Sequence, residues 1–181
     1  MDATGRILQV GGYVKLSKLW ERSKKEAIEY HHRYYKESFS NYSDCSLFDV
    51  YVDITGQKEI YRRPEMLRLI SDCLKGAVDV IVSQTKAYIA ANPREFFFLL
   101  KYLFDRRDSI ELVTEDDDFM IDTITNVEHQ KEELRRLADN VATLDSSDYI
   151  KWCSRVERQM QALGYWDRNS KKADEGDTDE K

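Results

Sequence analysis

Asp79-Val80-Ile81-Val82-Ser83 decides the fold: three β-branched residues in a row, opened by a carboxylate and closed by a hydroxyl. Apolar side chains at successive positions, with no polar alternation, belong to a strand covered on both faces. That is the habit of strands inside a parallel sheet. Just upstream, Gly76 stops a helix that Pro64 opens, since a missing N–H costs nothing in a first helical turn. Met66, Leu67, Leu69, Ile70, Cys73 and Leu74 give that helix one apolar face. Downstream, Asn92-Pro93 opens another helix, with Phe96, Phe97, Leu99, Leu100 and Leu103 on its buried side. Ile110 to Thr114 reads as the strand after it.

The same reading extends toward the N-terminus. Leu47 to Ile54 is a strand ending at Asp53-Ile54-Thr55-Gly56. Glu21 to Glu37 has no Gly or Pro and suits a helix with a solvated face. Ile7 to Leu16 is the first strand; Tyr13, Lys15 and Ser17 alternate with Val14 and Leu16, so its polar residues emerge at the C-terminal end. The order β-α-β-α-β-α-β predicts an α/β protein with an open, mainly parallel sheet and helices on both faces.

The chain then changes character. From Asp122 it is charged and helical. Val127, Leu134 and Val141 lie seven apart, as do Leu137 and Leu144. Together they form a short a/d seam interrupted by Gln130. A second helix is predicted from Ser147 to Leu163, with Ile150, Cys153, Val156, Met160 and Leu163 on one side. The expected organisation is an α/β domain over 1–123, a helical extension over 124–166, whose seam either packs on its own domain or joins two subunits, and a disordered charged tail over 167–181.

Composition narrows the class. The 181 residues allow one main domain. With 28 basic and 34 acidic residues, the net charge of −6 argues against a basic nucleic-acid binder as a whole and leaves room for a local basic face. No apolar run approaches the ~18 residues of a membrane span, and the N-terminus lacks a secretory h-region. Three dispersed cysteines, Cys45, Cys73 and Cys153, suit a reduced cytoplasmic protein. The neighbours His31 and His32 point to different helix faces, and no ligand set accompanies them. Neither a metal nor another cofactor is expected. Asp116-Asp117-Asp118 reads as a solvated loop, Phe96-Phe97-Phe98 as core, and Glu128 to Arg136 as a solvated helix face.

Several tripeptides, taken in order, resemble the N-terminal catalytic domain of serine recombinases, the resolvase and invertase family. Tyr13-Val14-Lys15-Leu16-Ser17 is similar to its Tyr-x-Arg-x-Ser strand. Asp53-Ile54-Thr55-Gly56 is similar to its Asp-x-x-Ser-Gly turn, and Arg63-Pro64 to its Arg-Pro helix start. Gly76 to Val82 resembles its Gly-x-x-Asp-Val-Ile-Val strand, and Asp122-Thr123 its late Asp-Thr. The resemblance spans roughly 7–145. It implies a resolvase-like fold, a dimerisation helix within 124–166, Ser17 at the position of the nucleophile that attacks a DNA phosphodiester, and Lys15, Thr55 and Arg63 at catalytic positions.

The departures carry as much meaning. The family's Asp-Arg-x-x-Arg loop falls here on Ala87, Tyr88 and Ala91, so a carboxylate and two guanidiniums are replaced. The strand arginine is Lys15, a charge without the bidentate fork. Lys86 is the remaining cation of that loop, and Arg106 and Arg107 close a different helix. Losing one preorganised transition-state donor costs ~10²–10³ in rate. Losing this set costs ~10⁴–10⁶ after allowing for non-additivity. The resemblance thus implies a recombinase-family domain with impaired cleavage. Such a protein would act as a homodimer or as a heteromer with a recombinase in a mobile element, bind DNA weakly alone, and need no membrane. Two alternatives stand beside it: an active site-specific recombinase using Ser17, and a protein-interaction domain with no nucleic-acid role.

Overall fold

The computed structural model describes residues 5–115 and 127–166, with the side chains of 127–130 left aside. Asp116-Asp117-Asp118, Asp122-Thr123, the side chain of Val127 and the 167–181 tail lie outside the described residues. Four strands are described: β1 (Leu8–Leu16), β2 (Cys45–Ile54), β3 (Val80–Ser83) and β4 (Glu111–Thr114). They pair in the order β2-β1-β3-β4, and every pairing is parallel. The β1–β2 register slips by one residue between Val10 and Gly11, leaving Phe48 as the extra residue of a bulge on the sheet edge.

The helices are α1 (Lys24–Phe39), α2 (Pro64–Leu74), the single turn α3 (Lys86–Ile89), α4 (Pro93–Arg106), α5 (Val127–Leu144) and α6 (Ser146–Ala162). One face of the sheet is covered by α1, whose Ala27 and Tyr35 pack on Val10, Val14, Val50 and Val52. The other carries α2 and α4, with Met66, Leu69, Ile70, Phe98, Leu99 and Leu103 against Tyr13, Tyr51 and Ile81. Each face is apolar because alternate strand residues serve it. On β1, a side chain at Gly12 would meet the Tyr35 ring of α1, and one at Gly11 would meet Leu69 of α2.

Capping follows the sequence closely. Asn92 accepts from the Glu95 N–H at 2.9 Å, with Pro93 in the first turn of α4. At the N-terminal end of the strands, Arg107 pairs with Asp79 and donates to the carbonyls of Cys73 and Val78. That fixes the end of α4 to the start of β3.

The C-terminal pair departs from the expected seam. α5 lies along α4 of its own chain, with Leu134 and Val141 against the core and Ala138 and Ala142 fully enclosed. Lys101 pairs with Asp139 at 2.6 Å across the contact. Leu137 and Leu144 point outward, 44% and 85% exposed. The inward stripe is Leu134-Ala138-Val141-Ala142; the small alanines let the helices approach, and a count of large apolar residues passes over them. The inward face of α6 is likewise Trp152, Val156 and Met160, whereas Ile150 and Leu163 are exposed. Trp152 Nε1–H donates at 3.0 Å to the buried Glu95, which also accepts the Ile60 N–H.

Candidate functional site

The sheet order places a topological switch between β1 and β3: the chain leaves β1 toward β2 and leaves β3 toward β4. The crevice outside the strand C-termini at such a point is where α/β sheets place ligands. Ser17 lies there, exposed, immediately after β1. Its carbonyl accepts the Trp20 N–H, starting a 3₁₀ turn over Lys18–Ser23, and its side chain makes no capping bond. Thr55 is held beside it, because the Thr55 N–H donates to the Leu16 carbonyl at 3.0 Å. The Thr55 hydroxyl accepts the Gln57 N–H and so closes its own turn.

Alternation along β1 puts Tyr13, Lys15 and Ser17 on the α2 side. Lys15 pairs in register with Asp53 on β2. Partial burial, reinforced by the Arg63 and Lys58 cations, lowers the Lys15 ammonium from its ordinary value, and Asp53 opposes the shift. Asp53 is the organising carboxylate. It accepts the N–H groups of Glu65 and Met66 at the start of α2, at 3.0 and 2.9 Å, and the Tyr13 hydroxyl at 3.0 Å. A carboxylate facing a helix N-terminus is electrostatically favoured. Burial nevertheless raises its affinity for a proton above the usual carboxylate range. Burial and the Asp53 charge push the Tyr13 phenol well up, so it remains a donor.

Arg63 is the clearest divergence from a phosphate-facing residue. It is 0% exposed. Its Nη1 donates at 2.8 Å to both the Tyr88 and Ile89 carbonyls, and its Nη2 donates to the Lys58 carbonyl. The guanidinium ties the loop before α2 to the turn of α3. Of the three loop positions, Ala87 and Ala91 are exposed methyl groups, and Tyr88 is half-buried between the two core layers. Lys86 lies 5.9 Å from the Phe96 ring centroid. Arg106 stacks on Tyr102 and pairs with Glu157, and Arg107 sits at the opposite, N-terminal end of the strands. The described site therefore brings together Ser17, Thr55, Lys15, Tyr13 and Asp53, and turns Arg63 inward.

Two features were not read in advance. Lys58 is a cation close enough to act on Lys15. Trp20 is 50% exposed on the turn after Ser17. An aromatic residue inside a run of charges was the available signal for the second. Among the described residues, no group of three His, Cys, Asp or Glu side chains could hold a metal ion. No described helix is long and apolar enough to cross a membrane.

No protein-family model matches the chain, and no curated protein is significantly similar to it. Solved structures are similar in fold. The N-terminal catalytic domain of TP901-1 integrase matches at 16% identity over 77% of this chain and 97% of its own, with a TM-score of 0.52. The C-terminal catalytic domain of ISC1926 TnpA, an IS607-like serine recombinase, matches at 14% identity over 87% and 99%, with a TM-score of 0.46. A resolvase family site-specific recombinase from Streptococcus pneumoniae matches at 17% identity over 78% and 99%, with a TM-score of 0.43. The four-stranded parallel sheet, its helical layers and the integrase match together give the chain the resolvase-like fold of serine-recombinase catalytic domains.

Proposed function

We propose that this chain is a recombinase-family domain that has lost DNA strand cleavage and works by association, modulating recombination in a mobile element. The observation that carries the reading is the commitment of the Arg63 guanidinium to the carbonyls of Lys58, Tyr88 and Ile89. Attack on a phosphodiester builds charge on its non-bridging oxygens, and guanidinium donors are the groups that meet such charge in pairs. With Arg63 turned inward and Ala87, Tyr88 and Ala91 in the neighbouring loop, Ser17 has Lys15 as its near cation on β1. The partner is a second copy of this chain or an active recombinase, and contact with DNA is weak without it.

The full chain, incubated with a library of random-sequence duplex and then denatured, tests this directly. The expected result is no covalent protein–DNA adduct. An adduct that disappears in Ser17→Ala would overturn the reading. It would establish the second one, an active recombinase, which the exposed Ser17 hydroxyl and the adjacent Lys15 favour.

A further inference from the structure

The segment after Ser17 is unusual for a folded domain. Every residue from Ser17 to Glu26 is exposed, and the 3₁₀ turn Lys18–Ser23 buries nothing. Two large apolar residues stand on it, Leu19 at 88% and Trp20 at 50% exposure. Large apolar side chains exposed on consecutive residues at a crevice rim and ringed by polar ones are the kind of surface that marks an interaction site.

The charge around the indole says what. From Lys15 to Lys25 there are five cations, Lys15, Lys18, Arg22, Lys24 and Lys25, and one acid, Glu21. Lys24 reaches Glu21 only at 4.0 Å, and Lys25 reaches Glu29 at 3.9 Å, both between exposed side chains, where such pairs are weak. Lys58, in the loop after the neighbouring strand, adds a charge on the same edge. This local excess stands out in a chain whose net charge is −6.

We propose that the Lys18–Lys25 segment is a binding surface for single-stranded nucleic acid, with a base stacked on Trp20 and the backbone phosphates on Lys18, Arg22, Lys24 and Lys25. An aromatic platform set among cations is the arrangement that takes unpaired bases without regard to sequence. In a duplex both faces of each base are already stacked and withdrawn from an indole presented on a short turn. The cations serve a polymer of regularly spaced anions, running along the segment from the strand edge. The inference does not depend on whether Ser17 cleaves.

The protein carries its own probe. Trp152 is buried and Trp166 is partly buried against the core, which leaves Trp20 as the most exposed indole among the described residues. The full chain is titrated with 20-nucleotide oligo-dT and oligo-rU at low salt while indole fluorescence is followed. Quenching is expected, with affinity falling as salt rises on a log–log slope of about −2 to −3, the value for three to four phosphates on a single strand. Trp20→Ala removes the quench and weakens binding, measured by oligonucleotide anisotropy, by about 5- to 150-fold. Lys18→Glu with Arg22→Glu flattens the salt slope. Three results would overturn the proposal: equal or tighter binding of a matched duplex, binding unchanged by Trp20→Ala, or quenching by anionic phosphatidylserine vesicles without any by oligonucleotide. The covalent-adduct assay is unaffected by each of these results, so the two readings fail separately.

Discussion

Arg63 donates through Nη1, at 2.8 Å, to the carbonyl oxygen of Tyr88. Two positions that the sequence resemblance sets at family arginines are thus in direct contact, the Arg63 guanidinium holding the Tyr88 backbone. The two changes fit each other physically. A guanidinium facing outward needs an anion; one facing inward needs acceptors, and the carbonyls of Lys58, Tyr88 and Ile89 supply them.

That arrangement makes Arg63 a determinant of stability. Arg63→Met removes the donor from the Lys58, Tyr88 and Ile89 carbonyls, the Ile89 bond buried and the other two partly so, and an unmade buried bond costs ~1–3 kcal/mol. A total loss of roughly 3 kcal/mol is expected, read as a drop of ~1–3 M in the urea midpoint at an m of ~1–3 kcal/mol per M. A phosphate-facing arginine would instead leave the unfolding free energy within about 0.5 kcal/mol of the parent.

Gly12 gives a second test of the sheet's packing. A Cβ built there would sit 2.9 Å from the Tyr35 ring, which is fully buried and cannot swing away. Gly12→Ala is expected to cost ~1–3 kcal/mol by overpacking. Gly12→Ala combined with Tyr35→Leu should cost less than the sum of the two single changes, because the clash is then relieved. Strict additivity in thermal or urea unfolding would place the ring elsewhere.

His31 predicts a pH dependence. It is 8% exposed on α1, and its Nδ1 has no hydrogen-bond partner among the described residues. Burial, and secondarily the charge of His32, lowers its proton affinity below the ordinary value of 6.5. The unfolded chain therefore binds the proton more tightly than the native one. Stability falls as pH drops through about 6.5, by at most ~1.4 kcal/mol per pH unit from this group. The loss levels off below the native value. Urea midpoints at pH 7.5, 6.5 and 5.5 should fall in the parent and flatten in His31→Phe over the same window. A parallel fall in both would assign the dependence to other groups.

Much of the fold was legible because it is written in local chemistry. The Val80–Val82 run, the Arg63-Pro64 and Asn92-Pro93 helix starts and the Gly76 stop each announce an element through backbone or burial constraints that act within a few residues. The single turn α3 was not legible: Lys86–Ile89 is too short for a periodic pattern, and Thr85 caps it through one hydroxyl. The orientation of Arg63 was not legible either. It depends on carbonyls 5, 25 and 26 residues away, and sequence spacing does not reveal which way a side chain turns at a helix start. The direction of α5 was hidden for a related reason, since Ala138 and Ala142 carry the contact and have too little side chain to mark a stripe.

The two faces of α5 separate packing within the chain from association between chains. Ala138 is wholly enclosed beside α4, so Ala138→Leu should overpack that contact and cost ~1–3 kcal/mol in urea unfolding. Leu137 and Leu144 lie on the outer face, where Leu137→Ser with Leu144→Ser should leave monomer stability within about 0.5 kcal/mol per site. If the chain associates with a second copy through this face, sedimentation of the parent at high concentration shows a dimer, and the double serine variant shifts it to monomer with an unchanged unfolding curve. A dimer that survives the double variant would move the contact to another surface. A parent that stays monomeric at every concentration leaves a recombinase as the partner, to be sought by co-sedimentation.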